Sequence, residues 1–334
     1  MQKQFFISRI IVILFSALVI LYLCLFEFKV LVGLENDIQK LENRSYIINP
    51  GEKICGKNKG ENILIMSFNP SKTTNFNQRQ AIRNTWTNKN FKENSLLKNV
   101  FIIGLSPDQT VNKRIQLESE IFGDIVQGNF IDTYRNLTFK TILGIKWMSE
   151  YCDNAKFILK IDDDMVVNTK SLSDYFFILT KNNTITLNNS MYGLCTATIP
   201  QRDKNSKWYI PAEDYAGNVY PKYCIGSAYI FTSDLMKPMY NLTHYIKPFI
   251  MEDVYVGMLA KELNTNFNQI WQYWCYNSYM AVNFTMNTKS ECFHFVLVYN
   301  LESFYTVWNL ITFKYLESTS TVCEVLIPNF YGNN

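Results

Sequence analysis

Three consecutive aspartates, Asp162, Asp163 and Asp164, sit in the stretch FILKIDDDMVVN between two apolar, largely β-branched runs. Adjacent like charges repel, so the pattern calls for a positive partner. Clustered carboxylates suit a hard divalent cation such as Mg2+ or Mn2+, which prefers oxygen ligands and is often shared with substrate phosphates. Such a cation would stabilise a diphosphate as a leaving group. Alternation along an extended chain would put Asp162 and Asp164 on one face and Asp163 on the other. The plainer alternative is a polar turn after a strand. An EF-hand is disfavoured, because its glycine and its final glutamate are missing. A second acidic pair, Glu252 and Asp253, could supply a general base to a substrate hydroxyl. Ordinary acidic bias at a helix start gives the same pair. Only two histidines occur, His244 and His294, which weakens any Ser-His-Asp triad. Neither G-x-G-x-x-G nor G-x-x-x-x-G-K-[ST] is present, which argues against dinucleotide enzymes and P-loop kinases.

The elements that must hold these residues are legible as apolar runs. Strands are predicted over 62–68, 99–105, 124–130 and 156–161, and helices over 77–86, 113–123 and 137–152. Strands alternating with helices at these lengths argue for an α/β layer fold with a mostly parallel sheet. In such sheets ligands bind at the carboxyl ends of the strands. The triplet emerges at the carboxyl end of FILKI, where a cleft is expected. From about residue 190 the chain is rich in Tyr, Gly and Pro, which suits a binding surface of turns and short strands. A helix is predicted over 250–263, with Glu252 and Asp253 in its first turn.

The chain has 334 residues, 48% hydrophobic and 15% aromatic, with a net charge of +3. That length allows one large domain or two modest ones. The basic residues are scattered, so nucleic acid is a poor partner. Residues 10–26 carry no charge and extend to a span over 10–28, long enough to cross a bilayer core. No small-x-small cleavage site follows. Lys3, Arg9 and the amino terminus precede the span, so the bulk is expected on the luminal side. This gives a cytoplasmic tail over 1–9, an anchor over 10–28, a polar stem over 29–61 and a luminal domain over 62–334. Six N-x-[ST] sequons, at Asn43, Asn136, Asn182, Asn188, Asn241 and Asn283, and seven cysteines beyond the span fit an oxidising lumen. The cysteine spacings are wide and contain no C-x-x-C, so zinc is not expected.

RQAIRNTW (79–86), YRNLTFKT (134–141), CDNAKFILKIDDDMVVN (152–168), KWYIP (207–211), YPKYCIGSAYIFT (220–232) and EDVYVGMLAKEL (252–263) occur in the order and rough spacing of glycosyltransferase family 31. The chain resembles the β-1,3-galactosyltransferase-like enzymes of that family over roughly residues 60–312. The resemblance implies a type II Golgi membrane enzyme of GT-A fold that uses a UDP-sugar and Mn2+ and inverts the anomeric centre. Galactose heads the donors, beside N-acetylglucosamine and N-acetylgalactosamine. It further implies Asp164 as the direct metal ligand with Asp162 beside it. Arg79, Arg83, Lys160, Asp162 and Asp163 fall on the donor side. Asp253 is the implied base. Trp208, Tyr220, Pro221, Tyr223, Gly226 and Glu252 fall on the acceptor and sugar side. One departure stands out. The family has a metal-holding histidine about eleven residues before a late tryptophan, whereas His294 lies fourteen before Trp308. A strand slip or loop difference would bring His294 to the metal; otherwise that ligand is lost. The partners expected are a UDP-sugar, a glycan on a glycoprotein or glycolipid, the membrane and, as an assembly to be tested, a second copy in a homodimer. The competing expectation is a silent family member serving as a binding module or chaperone. A nucleotide-sugar hydrolase would need a water site where the aromatic second half suggests a carbohydrate surface.

Overall fold

The computed structural model describes residue 22 and residues 45–88, 90, 96–181, 187–270, 274–275 and 294–317. The chain divides into two compact units, Met1–Ser45 and Tyr46–Asn334. The tail at 1–9, the span at 10–28 (Tyr22 apart) and the sequons at Asn43, Asn182 and Asn283 lie outside the described residues. Among the described residues no helix is long and apolar enough to cross a membrane.

Four parallel strands form the centre of an eight-stranded sheet: β2 (Ile65–Pro70), β3 (Leu97–Leu105), β4 (Ile125–Ile131) and β5 (Phe157–Ile161). β2 and β5 are buried along their whole length, as expected of parallel strands covered on both faces. Helices α2 (Phe76–Asn84), α3 (Gln109–Phe122) and α4 (Leu137–Tyr151) connect them. Each lies within a few residues of its predicted span. Asp108 caps α3 by accepting from the Thr110 N–H at 2.8 Å, and Gly123, at φ 67°, ends it in the left-handed region. α4 crosses β2 so closely that a Cβ on Gly144 would lie 2.5 Å from the Phe68 ring.

The strand order is β1 (Tyr46–Ile48), β4, β3, β2, β5, β8 (Tyr223–Thr232), β7 (Ser190–Thr196) and β9 (Asn266–Gln269). Edge strand β1 (Tyr46–Ile48) runs antiparallel to β4. On the other side β8 (Tyr223–Thr232) pairs antiparallel with β5, followed by β7 (Ser190–Thr196) and β9 (Asn266–Gln269). The chain winds from β2 through β3 to β4, then returns past β2 to lay down β5. The winding therefore reverses between β2 and β5, and a crevice opens at their carboxyl ends. A second sheet joins β6 (Met165–Val167), β10 (Trp274–Cys275) and β11 (Phe295–Leu297). Helix α5 (Thr169–Lys181) follows β6, α6 (Met236–Leu242) follows β8, α7 (Glu252–Glu262) precedes β9, and α8 (Leu301–Glu317) follows β11.

The polar stretch read as stem up to residue 61 is part of the second compact unit from Tyr46 onward. Tyr46 donates to Glu150 at 2.7 Å, and the Trp147 indole N–H donates to Asn49 at 2.8 Å. A short helix, α1 (Glu52–Cys55), carries Cys55 into a disulfide with Cys152. Composition concealed this, because the contacts are made about a hundred residues away in α4. A second disulfide, Cys195–Cys224, ties β7 to β8. Two pairs thus account for four of the seven cysteines beyond residue 28.

Candidate active site

The triplet lies at the reversal point of the sheet. Asp162 follows β5, and residues 163–164 make a turn into β6 rather than continuing an extended strand. The turn, not strand alternation, sends the three carboxylates apart. Asp163 points back across the crevice to the end of β2, accepting from Ser71 Oγ at 2.6 Å and Asn75 Nδ2 at 2.9 Å. Ser71 also receives Arg79 Nη1 at 3.2 Å, and its carbonyl accepts Lys140 Nζ at 2.8 Å. Lys140 is paired to Asp132 at 2.7 Å, so the ends of β2, β4 and α4 are tied beneath the site.

Asp162 is held from below. Lys160, fully buried, donates to Asp162 Oδ1 at 2.6 Å and to the Gly226 carbonyl, and lies 3.6 Å from Glu252 Oε2. Burial works against charge on Lys160, but Asp162 and Glu252 outweigh it and hold the ammonium above its ordinary value. Glu252, at the start of α7, is buried and accepts from Thr141 at 2.9 Å and from the Tyr229 hydroxyl. Asp253 beside it accepts from the Gly226 N–H at 3.2 Å and the Val254 N–H at 2.9 Å. Gly226 therefore links Lys160, through its carbonyl, to Asp253, through its N–H. A Cβ there would lie 3.2 Å from Glu252 Oε2 and 3.5 Å from Asp253 Oδ2. Burial raises the Asp253 carboxyl above the ordinary aspartate value, against the pull of the Val254 N–H and Lys160. Burial also raises Asp162 to about 6, and raises Asp164 to about 7 with the repulsion of Asp162 and Asp163 added. A cation arriving among them would reverse that repulsion.

Asp164 shows more surface than Asp162 or Asp163, although surrounding protein atoms still withdraw its carboxylate in part from water. The histidine expected beside it is elsewhere. β11 pairs antiparallel with β6 in the register Phe295↔Val167 and Leu297↔Met165, and the Val298 N–H donates to the Asp164 carbonyl at 2.9 Å. Val298 is thus abreast of Asp164, whereas the His294 carbonyl accepts from Asn168 at the far end of β6. Four residues of strand separate His294 from Asp164, roughly 13 Å at the strand rise. Its ring is buried, bonded through Nδ1 to Ser171 Oγ at 3.1 Å and packed 5.3 Å from Tyr175. Burial lowers its pKa to about 3. The position eleven before Trp308 is Leu297, and the structure packs the His294 ring in the core against Ser171 and Tyr175. Among the described residues no three His, Cys, Asp or Glu side chains are grouped to hold a metal. What remains is Asp164, with Asp162 beside it: an all-oxygen set that fits a hard cation shared with a diphosphate.

A cavity of about 440 Å3 opens over these groups, lined among others by Asp162, Lys160, Gly226, Glu252, Asp253 and Trp208. Its walls come from residues 134–137 on one side and 204–210 on the other. Trp208 is half exposed. Tyr220 and Tyr223, expected on the sugar floor, are buried behind it. Tyr220 packs against Tyr215, Tyr223 and Phe249, and Tyr223 shares a hydrogen bond with Thr198 at 2.9 Å. Neither they nor Pro221 line the cavity; they brace the wall that does. Arg79 and Arg83 are also not on the surface of the crevice. Arg79 is fully buried and bonded to Glu118 through Nε (2.9 Å) and Nη2 (2.6 Å), reaching the triplet only through Ser71. Arg83 is held by Glu118 at 2.7 Å and Asp124 at 2.8 Å, and faces a separate cavity beside Leu97, where β3 begins. That is the opposite end of the sheet. Sequence periodicity could not separate a buried arginine from a ligand-facing one.

Several residues that hold the site escaped the sequence reading: Ser71, Asn75, Glu118, Lys140, Thr141 and Tyr229. Lys140 and Thr141 fall inside the YRNLTFKT stretch and Tyr229 inside YPKYCIGSAYIFT, which were the available signals. The matching family model is described as Galactosyltransferase and covers residues 77–270, which include all of α2 but its first residue, the triplet, Gly226 and Asp253. The chain is 34% identical over 229 residues to beta-1,3-galactosyltransferase 1 of Homo sapiens and of Mus musculus, covering 67% of this chain and 68% of theirs. It is 33% identical over 193 residues to beta-1,3-galactosyltransferase 5 of Homo sapiens, covering 58% of this chain and 61% of that protein. With its carboxylates gathered at the sheet's reversal point and this match across them, the chain belongs to the galactosyltransferase family and is a glycosyltransferase.

Proposed function

We propose that this glycosyltransferase moves a sugar, galactose first among the donors, from a UDP-sugar to a glycan hydroxyl with inversion, forming a β-1,3 linkage. The observation that carries the proposal is the placement of Asp253 and Asp162 in one cavity, joined through Gly226. Asp253 takes the proton of the acceptor hydroxyl as its oxygen attacks the anomeric carbon. The bond from that carbon to the β-phosphate oxygen breaks, and its electron pair leaves with UDP. Burial suits Asp253 to the task, because a raised pKa makes a stronger base than a free aspartate. Lys160 neutralises Asp162 and holds the Gly226 carbonyl, while the N–H of the same residue orients Asp253. Asp164, with Asp162 beside it, would hold Mn2+, which when bound offsets the diphosphate charge. The apolar run at 10–28 and its flanking charges support a signal anchor, with the catalytic unit in the Golgi lumen.

The test is Asp253→Asn, with UDP release measured with and without acceptor and UDP affinity measured by calorimetry. Transfer is expected to fall about 10²–10⁴-fold, the usual worth of a general base, with UDP affinity unchanged. Wild-type transfer by this variant would remove Asp253 as the base. UDP-sugar binding without turnover by the unmodified protein on any acceptor would favour a silent binding module.

A further inference from the structure

The cavity is charged in two layers. Its floor holds Asp162, Glu252 and Asp253 around the buried Lys160. Its mouth holds three cations, Arg135 on one wall and Lys204 and Lys207 on the other, all exposed. Among the described residues none of the three lies within 4 Å of a carboxylate, whereas Arg79, Arg83, Lys140 and Lys160 are all ion-paired. Each wall sets an aromatic ring beside its cation: Tyr134 next to Arg135, and Trp208 under Lys207, whose Nζ lies 4.3 Å from the ring centroid. Both rings are exposed, Tyr134 at 68% and Trp208 at 50%. The wall carrying Arg135 ends in the first turn of α4. No side chain caps that turn, because Asn136 instead donates to the Ile131 carbonyl, so the helix's positive end adds to the same field.

We infer that the acceptor carries an anionic group, a carboxylate or a sulfate ester, on the sugar next to the one that reacts. This rests on the transferase reading, in which the reacting hydroxyl must reach Asp253. An anion on the reacting sugar would lie against three acidic side chains on the floor. An anion one sugar outward lies between Arg135 and Lys207, with the rings of Tyr134 and Trp208 covering the apolar faces of the sugars. A neutral glycan would leave Arg135, Lys204 and Lys207, which line the same cavity, without a counter-charge.

The test uses the full-length chain in detergent and three 4-nitrophenyl β-lactosides, identical except at C6 of the outer, glucose unit: hydroxyl, carboxylate and sulfate ester. Binding is read by Trp fluorescence in the presence of UDP, and transfer by UDP-sugar consumption. At low salt the anionic forms are expected to bind at least about tenfold more tightly than the neutral one, the usual worth of a charge-assisted hydrogen bond. The preference should disappear in the Arg135→Gln, Lys207→Gln double variant and shrink in high salt, with UDP affinity unchanged. Whichever anion binds tighter names the substituent. Equal binding of all three lactosides overturns the inference even if transfer proceeds. A loss of UDP affinity in the double variant also overturns it, and assigns the cations to the donor diphosphate. Tight anionic binding with no transfer to any lactoside or other glycan keeps the anion site and overturns the transferase reading instead.

Discussion

Replacing Glu118 by Gln is expected to destabilise the protein while touching nothing in the cavity. Glu118 is 7% exposed and accepts four charged hydrogen bonds, three from Arg79 and one from Arg83. Arg83 retains its two bonds to Asp124, at 2.8 Å each. Arg79 is different: after the substitution its remaining partners are neutral, the Ser71 hydroxyl and the Lys72 carbonyl. A fully buried guanidinium would then have no counter-charge. Breaking a buried pair by removing one partner costs roughly 3–5 kcal/mol, and the isosteric amide, which keeps shape and one acceptor, places the cost near 3 kcal/mol. For a unit of this size that lowers Tm by roughly 6–12 °C. The assay is thermal unfolding of both proteins, disulfides intact, from neutral pH downward. Burial opposes ionisation of Glu118, but Arg79 and Arg83 hold its pKa below the ordinary value. Its contribution is therefore fully present above the usual glutamate pKa of about 4.3 and disappears as pH falls through the lower folded value. The gap between the two proteins should be largest at neutral pH and close on acidification. A Tm within about 2 °C of the unmodified protein at neutral pH, or a gap that does not close in acid, would refute the role given to Arg79 and return it to the donor site.

Four further outcomes follow from the same geometry. His294→Ala should leave Mn2+-dependent UDP affinity unchanged while costing roughly 2–5 kcal/mol of stability, as for other large buried side chains, and a loss of metal-dependent binding measured by calorimetry would put the imidazole back at the metal. Asp164→Ala should weaken Mn2+-dependent UDP binding at least about tenfold, and unchanged calorimetric affinity would remove it from the metal site. In the pH profile of kcat/KM, the acid limb should lie above that of an ordinary aspartate, because the base must be unprotonated and burial raises Asp253; an acid limb at the ordinary position would contradict that environment. Replacing Cys55 and Cys152 together by Ser opens a loop of sequence separation 97 and should cost about 2–5 kcal/mol in denaturant unfolding, with no change if the residues before 62 were only a stem.

The sequence by itself determined the α/β class, the order of β2 to β5 with their helices, and the exit of the triplet at a strand's carboxyl end. These follow from local periodicity, since a buried parallel strand must be apolar throughout and its loop carries the polar groups. It also marked Asp253 and Glu252, as acids in a helix's first turn. Tertiary structure decided which of those charges are free to act. Arg79 and Arg83 are neutralised by Glu118 and Asp124 from a helix and a turn about forty residues away, and no pattern within α2 reveals it. Asp162, Asp163 and Asp164 are alike in sequence, yet Lys160, Ser71 and the β5–β6 turn give them three different surroundings. His294 was placed by the β6–β11 register, set by hydrogen bonds between strands more than a hundred residues apart, and that register puts Val298 beside Asp164. Local chemistry is written residue by residue. Its use depends on which distant partner folds against it, and only the packed chain specifies that.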